Sequence, residues 1–204
     1  MNSWINSIHE LIDSKKWKDV LSAGESIPLD EKARVLWAWP TERNIIFLRN
    51  ILTDLKTCAI LSVGCGSGLL EWILQETTGI PTSGIELQNS WWRSKYCPKP
   101  FINLNFVTPP ATPEFLQKCV GRIDWQFALL FCYFNNREAF HEYIDAYKGS
   151  CLIIIGADES SGRHTSPTPF ELAEANDPTW SLQHYSEIGT TQDYIAVYMR
   201  KTIL

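Results

Sequence analysis

The sequence predicts an α/β protein built on a seven-stranded, mostly parallel sheet with helices on both faces. From residue 56 onward, short apolar runs alternate with amphipathic, helix-like stretches. The longest apolar run, Phe127–Phe134, is typical of a central parallel strand. Only Gly189–Gln192 separates the last two strand-like segments. This connection is too short for a parallel crossover, so the chain is expected to close with an antiparallel hairpin.

The first 55 residues predict a helical cap on the same domain. Apolar residues at helical spacing predict a helix over 3–21, interrupted near Ser14. A short helix is predicted from Asp30 to Leu36, and Thr41 is the predicted N-cap of a helix that reaches about residue 55. We therefore expect one domain over 1–204, with a helical cap (1–55) and an α/β core (56–204).

In the core, strands and helices follow the order of a doubly wound, Rossmann-like sheet. The strands are predicted at Ala59–Val63, Thr82–Glu86, Phe101–Val107, Trp125–Phe134, Ser150–Gly156, Trp180–Ile188 and Tyr194–Arg200. The helices between them are predicted at Leu69–Thr77, Ser90–Tyr96, Glu114–Val120, Arg137–Tyr147 and Pro169–Asn176.

Composition and charge narrow the functional classes. The 204 residues carry a formal net charge of −5, whereas proteins that bind duplex nucleic acid nonspecifically are usually basic. The N-terminus does not resemble a secretory signal, and no apolar run approaches the roughly 20 residues that span a bilayer. The six cysteines show no CxxC pair and no zinc-ligand spacing. We expect free thiols, no metal, no membrane, and a cytoplasmic or alternatively nuclear location; a protein partner stays open.

Residues 58–86 carry the strongest functional signal. Gly64, Gly66 and Gly68 follow a predicted buried strand at every second position, and Glu86 ends the next strand. Glycines let backbone N–H groups approach a ligand closely, and a carboxylate can accept both hydroxyls of a ribose. The pattern predicts a site for an adenosine-containing ligand outside the carboxyl ends of the strands. Leu69 stands where the dinucleotide fingerprint G-x-G-x-x-G needs its third glycine, which opposes a nicotinamide oxidoreductase.

The segment Ser62–Gly68 resembles the first motif of the class I S-adenosylmethionine-dependent methyltransferases, which is an acid, any residue, then G-x-G-x-G. The terminal hairpin is also a feature of that superfamily. The resemblance implies S-adenosylmethionine as the cofactor and methyl transfer to an acceptor that is a small molecule, a protein or RNA. It implies that the glycine loop passes under the methionine and ribose, that a carboxylate holds the ribose and that an apolar residue lies against the adenine. These roles fall on Gly64, Cys65, Gly66, Gly68, Glu86 and Leu87.

The chain departs from the motif of that superfamily at two positions. Ser62 stands where the family has an acid that commonly anchors the methionine end of the cofactor. No Asp lies near the end of the third strand, so Thr108 or a backbone group is expected to take the adenine amino group. A second hypothesis stays open for two reasons. The acid is replaced by Ser62, and the chain lacks the two prolines that amino-methylating relatives carry after the fourth strand. This second hypothesis is a catalytically silent S-adenosylmethionine-binding sensor or scaffold.

Two segments after predicted strands are candidates for handling the acceptor. Asn135, after the fourth strand, either holds a polar group of the acceptor or caps the next helix. Arg163 and His164 lie in the loop after the fifth strand. They either recognise substrate, with His164 as a proton acceptor near neutral pH, or belong to a solvated loop.

Aromatic residues on both sides of the glycine motif are candidates for enclosing the ligand. Trp37 and Trp39 either fold over the cofactor as a lid or pack into the core. Trp91 and Trp92, just beyond Glu86, either close the adenine pocket or divide between core and surface.

Overall fold

The computed structural model describes residues 3–97 and 99–201 of the chain. Seven strands form one sheet in the order β3-β2-β1-β4-β5-β7-β6. The strands are β1 (Ala59–Val63), β2 (Thr82–Glu86), β3 (Leu104–Phe106), β4 (Phe127–Cys132), β5 (Cys151–Ala157), β6 (Trp180–Glu187) and β7 (Asp193–Arg200). All pairings among β1 to β5 are parallel, and β7 runs antiparallel to both β5 and β6. The mostly parallel sheet and its antiparallel hairpin are therefore confirmed.

Helices cover both faces of this sheet. They are α1 (Ser3–Asp13), α2 (Trp17–Glu25), α3 (Leu29–Lys32), α4 (Glu42–Asp54), α5 (Leu69–Thr78), α6 (Asn89–Trp92), α7 (Pro113–Val120), α8 (Arg137–Ala146) and α9 (Glu171–Glu174), with a 3-10 turn at Glu159–Ser161. No helix in the described part of the chain has the length and apolar character that crossing a bilayer requires.

Alternating strand residues build two cores, one on each face of the sheet. Ile60 of β1 and Leu130 of β4 pack with apolar residues of α1, α2, α4 and α5. Their neighbours Leu61 and Leu129 point to the opposite face and pack with α7 and α8. The N-terminal helices thus share a hydrophobic core with the central strands. That all residues form a single domain stays a prediction.

The N-cap prediction for α4 is confirmed. The Asn44 N–H donates to Thr41 Oγ1 at 3.3 Å, and Asn44 Oδ1 accepts from the Thr41 N–H at 3.0 Å. This capping box satisfies donors that the first turn of a helix otherwise leaves unpaired. Asn44 also donates to the carbonyl of Glu187 at 2.8 Å, which ties the cap of α4 to the terminal hairpin.

Several boundaries differ from the prediction because backbone groups find other partners. The strand predicted over 101–107 is limited to β3, since the Phe101 N–H donates to the Ser67 carbonyl at 2.8 Å instead of joining the ladder. The strand predicted to run to Phe134 stops at Cys132, because Tyr133 has a left-handed φ of 52°. The interruption predicted near Ser14 is confirmed, with Lys15 at φ 55° between α1 and α2, but α2 continues to Glu25, beyond the predicted end at residue 21.

Candidate functional site

The loop from β1 to α5 turns sharply at the carboxyl edge of the sheet. Gly64, Gly66 and Gly68 have φ values of 65°, 62° and 79°, a region that L-residues with side chains rarely adopt. A Cβ at Gly64 would meet the Phe134 ring at 2.9 Å, whereas a Cβ at Gly66 would meet nothing within 4 Å. Gly66 therefore faces open space, and its backbone is the part of the loop that a ligand can approach.

Glu86 lies directly beside this loop. Its Oε1 accepts the N–H of Gly66 at 2.6 Å, so the end of β2 braces the bend after β1. Burial raises the pKa of the Glu86 carboxyl. Bonds from the N–H groups of Gly66 and Leu87 and from the Trp92 side chain act in the opposite direction. The structure thus brings the predicted loop and the predicted acid together.

Two cavities meet at Gly64. The first, which we call the β2 cavity, has a volume of about 300 Å³ and opens at the carboxyl ends of β1, β2 and β4. Its walls are mainly apolar, and Glu86 lies at the loop side. The lining residues include Val63, Gly64, Ile85, Glu86, Leu87, Val107, Pro109 and Phe134.

Leu87 lines the β2 cavity as the prediction requires, whereas Thr108 does not. Val107 and Pro109 on either side of Thr108 contribute to the wall, and the Thr108 side chain is exposed. The apolar wall after β3 is therefore made by the neighbours of Thr108.

The second cavity, which we call the loop cavity, has a volume of about 110 Å³ on the other side of Gly64. It is bounded by the glycine loop, by the segment before α4 and by the end of β4. The lining residues include Arg34, Trp37, Gly64, Cys65, Gly66, Ser67, Glu71, Trp92, Cys132 and Tyr133.

The structure separates the two predicted lid tryptophans. Trp37 is 59% exposed and stacks on Tyr133 with ring centroids 5.7 Å apart, so it forms the outer wall of the loop cavity. The Trp39 indole N–H donates to the Leu21 carbonyl at 3.1 Å, and its ring contacts Gly24. Trp39 thus packs against α2, away from the loop cavity. Trp92 lines the loop cavity, while Trp91 is exposed.

Glu71 is a site residue that the sequence analysis missed. It lies in the first turn of α5, is 1% exposed and lines the loop cavity. Ser62 Oγ donates to Glu71 Oε1 at 2.6 Å, and Glu71 Oε2 has no hydrogen-bond partner among the described residues. Burial raises the pKa of Glu71 to about 7, against the Ser62 hydrogen bond. An acid inside the apolar run from Leu69 to Leu74 was the available sequence signal.

The N-cap role considered for Asn135 belongs to its neighbour. Asn136 is the N-cap of α8, and its Oδ1 accepts the Ala139 N–H at 3.0 Å. Asn136 also lines the β2 cavity. Asn135 is exposed and its backbone pairs with Ser166 in an isolated bridge. The capping alternative for Asn135 is therefore wrong.

Arg163 is bound within the protein. Its Nη1 contacts Asp193 Oδ2 at 2.8 Å and donates to Tyr133 Oη at 2.9 Å, and Nη2 donates to the Thr191 carbonyl. The Tyr133 hydroxyl in turn donates to Asp193 Oδ1 at 2.5 Å. Arg163 therefore holds Tyr133, which stacks on Trp37, whereas the neighbouring His164 is exposed.

We expect Arg163→Met to lower the free energy of unfolding by about 2 kcal/mol, because it leaves the buried Asp193 carboxylate without its cation. The Arg163 side chain is 30% exposed and that of Asp193 is 3% exposed, so the loss is smaller than for a fully buried pair. Urea unfolding followed by circular dichroism measures it. His164→Ala is the control and is expected to change stability by less than about 0.5 kcal/mol. Equal stability of Arg163→Met and the wild type would contradict this role.

No group of three or more His, Cys, Asp or Glu side chains in residues 3–97 and 99–201 is placed to hold a metal ion. All six cysteines are free. The polar groups at the carboxyl edge of the sheet include the glycine loop, Glu71 and Glu86, the network around Tyr133, and Glu138 and Glu142 of α8, which line the β2 cavity.

The sequence matches no family model and no curated protein. Its structure is similar to that of a putative caffeoyl-CoA O-methyltransferase from Staphylococcus aureus, with 9% identity, 92% of this chain and 99% of that chain covered, and a TM-score of 0.52. An O-methyltransferase from Bacillus cereus in complex with S-adenosylhomocysteine also matches, with 11% identity, 98% and 91% coverage and a TM-score of 0.49. A further match is magnesium protoporphyrin IX methyltransferase from Synechocystis PCC 6803 with bound S-adenosylmethionine, with 11% identity, 78% and 79% coverage and a TM-score of 0.48.

The first of these comparisons and the strand order both bear on the fold. The sheet has five parallel strands closed by an antiparallel hairpin, and the Staphylococcus aureus structure superposes over nearly the whole chain. The chain therefore has the class I methyltransferase fold, as its sequence motif predicted.

Proposed function

We propose that this chain binds S-adenosylmethionine and transfers its methyl group to an acceptor. The observation that carries the proposal is the open backbone at Gly66, bonded at 2.6 Å to the Glu86 carboxylate between two cavities at the carboxyl edge of the sheet. The fold supports it, because structures with this fold include enzymes named as methyltransferases.

The residues around the β2 cavity fit a nucleoside. Val107, Pro109 and Leu87 offer apolar walls to a flat base, and Glu86 offers carboxylate oxygens to sugar hydroxyls. The open side of Gly66 leaves room for the atoms beyond the sugar. We assign cofactor binding to Gly64, Cys65, Gly66, Gly68, Glu86 and Leu87, and a contact from Thr108 stays a prediction.

The cofactor supplies a methyl group on a positively charged sulfur, which a nucleophile displaces directly. The work of the chain is then to align the two partners and to exclude water. Trp37 and Tyr133 form an aromatic wall of the loop cavity, and an acceptor can lie against the outer side of this wall, where Trp37 is 59% exposed. Asn135 is exposed near the same edge of the sheet. Its role in holding a polar group of the acceptor remains a prediction.

A second candidate function is binding without transfer, as a sensor or scaffold that responds to S-adenosylmethionine. The observation in its favour is that both Asn residues after β4 are exposed, that Asn136 is engaged as the N-cap of α8, and that neither amide can act as a proton acceptor in the transfer. Purified protein, labelled S-adenosylmethionine and fractionated extracts separate the two. A labelled small molecule, protein or RNA supports transfer, whereas binding without product supports the sensor. The acceptor class and a cytoplasmic or nuclear location stay predictions.

We expect Glu86→Ala to weaken binding of S-adenosylhomocysteine by roughly 1.5–3 kcal/mol, the range for hydrogen bonds to a charged group. Isothermal titration calorimetry measures the change. Glu114→Ala removes an exposed acid in the first turn of α7 and is the control, expected to leave the affinity unchanged. Unchanged affinity in Glu86→Ala would remove Glu86 from the site. Binding of NAD and not of S-adenosylhomocysteine by the wild type would overturn the proposed function.

A further inference from the structure

The loop cavity contains a fully buried carboxyl group whose hydrogen bonding is incomplete. Glu71 is 1% exposed, and Ser62 satisfies only its Oε1. Glu71 Oε2 has no partner among the described residues, yet the residue lines the cavity beside Gly66. A buried polar atom without a partner is unfavourable, and such atoms are uncommon in folded proteins. The position of Oε2 therefore calls for a group that enters the cavity.

The charges around Glu71 indicate what that group is. Two carboxyl groups lie beside the glycine loop, since Glu86 bonds to Gly66 and Glu71 lines the loop cavity. Burial is the main cause of the raised pKa of Glu71, and the like charge of Glu86 adds to it. The two thiols nearby, Cys65 and Cys132, have pKa values well above the ordinary value, chiefly through burial, and stay neutral. Arg34 lines the same cavity but forms no salt bridge with Glu71. A cationic hydrogen-bond donor complements this arrangement.

The two cavities are placed so that one ligand can occupy both. Gly64 lines each of them, and Glu86 at the β2 cavity bonds to Gly66 at the loop cavity. A nucleoside in the β2 cavity therefore directs its 5′ substituent across Gly66 toward Glu71. The loop cavity presents one acid, Glu71, and one base, Arg34, as binding of a zwitterionic amino acid requires.

We propose that the Glu71 carboxylate binds the α-ammonium group of the amino-acid part of S-adenosylmethionine, an inference that rests on the proposed function. Helix α5 thus supplies the carboxylate that β1 lacks at Ser62. The Ser62 hydroxyl keeps a role, because its hydrogen bond to Oε1 orients the carboxylate and leaves Oε2 without a partner among the described residues.

The test compares two ligands that share the nucleoside and the thioether. S-adenosylhomocysteine carries the amino-acid group, and 5′-methylthioadenosine lacks it. In calorimetric titrations, Glu71→Gln is expected to lower the affinity for S-adenosylhomocysteine about 10- to 100-fold. The affinity for 5′-methylthioadenosine is expected to fall less than about threefold. Glu76→Gln removes a charge from the same helix, where Glu76 contacts Lys15 at 3.9 Å outside both cavities. This control is expected to change neither affinity.

The pH dependence of the wild type gives a readout that needs no variant. The pKa of Glu71 is raised to about 7, and the ammonium ligand binds its deprotonated form. Lowering the pH from 8 to 6 is therefore expected to lower the affinity for S-adenosylhomocysteine about tenfold relative to the affinity for 5′-methylthioadenosine. Burial raises the pKa of Glu86 as well, but Glu86 is assigned to the sugar that both ligands share. The ratio of the two affinities thus reports on Glu71, and the dependence is expected to vanish in Glu71→Gln.

A relocated acid tests the chemistry further. Adding Ser62→Asp to Glu71→Gln places a carboxylate on β1 at the residue whose side chain bonds to residue 71, and we expect about tenfold recovery of S-adenosylhomocysteine affinity. If Glu71→Gln leaves the affinity for S-adenosylhomocysteine unchanged, or lowers the affinity for both ligands equally, the inference is overturned while the proposed function stands. If the wild type binds neither ligand, the proposed function itself fails.

Discussion

Replacement of Gly66 by valine is expected to weaken binding of S-adenosylhomocysteine by more than about 100-fold. The reason is spatial, since a Cβ at residue 66 points into the open side of the loop, where nothing lies within 4 Å. The branched side chain would occupy the volume that we assign to the atoms between sugar and amino acid. Binding is measured by calorimetric titration with S-adenosylhomocysteine.

Backbone strain needs a matched control, because Gly66 has a φ of 62° and valine is unfavourable there. Gly121→Val supplies it. Gly121 follows α7 with a φ of 65°, has nothing within 4 Å of a Cβ and lines neither cavity. Both variants are expected to lose similar stability, and only Gly66→Val should lose binding. Retained affinity in Gly66→Val, or equal loss in Gly121→Val, would refute the steric explanation.

Glu71→Gln is expected to stabilise the protein at pH 8 by about 3 kcal/mol. Burial raises the pKa of Glu71 from 4.5 to about 7, so the folded state binds this proton more tightly than the unfolded state does. The proton supports folding below pH 4.5, and the wild type loses that stability as the pH rises toward about 7. Glutamine stays neutral, and its carbonyl can accept the Ser62 hydroxyl in place of Oε1.

Urea unfolding at pH 5 and pH 8 tests this expectation. The difference in the free energy of unfolding between Glu71→Gln and the wild type is expected to be below about 1 kcal/mol at pH 5 and about 3 kcal/mol at pH 8. Glu76→Gln is expected to show a small difference that does not vary with pH over this range. A destabilised Glu71→Gln at pH 8, or a difference independent of pH, would show that folding does not raise the pKa of Glu71. If the expected stabilisation is found and the further inference also holds, residue 71 favours binding at the expense of stability.

The strands that hold the glycine loop were readable from sequence because their signals are local. Both β1 and β2 have the predicted bounds, since β1 is a short, mainly apolar run followed by Gly64 and β2 is a short segment that ends at an acid. The strand β3 was predicted too long because the partner of Phe101 is Ser67, in a loop far away in the sequence. Local propensity carries no information about such a partner.

The residues of the candidate site also fall into a group that local sequence signals predicted and a group that they did not. Gly66 and Glu86 were placed correctly side by side because parallel strands end at one edge of a sheet. Glu71 was missed because helical spacing alone does not reveal which position of α5 faces β1. Arg163 and Asp193 are separated by 30 positions along the chain, and their ion pair depends on the register of the hairpin. No local sequence pattern predicted it.

Tyr133 links the terminal hairpin to the wall of the loop cavity. Its ring stacks on Trp37, and its hydroxyl bonds to Asp193 at the start of β7. The glycine loop and Glu86, in contrast, depend on β1 and β2. The two sides of the pocket therefore have separate supports. Substitutions in the hairpin can reshape the side assigned to the acceptor while the nucleoside side stays intact, which offers a route by which one scaffold acquires new acceptors.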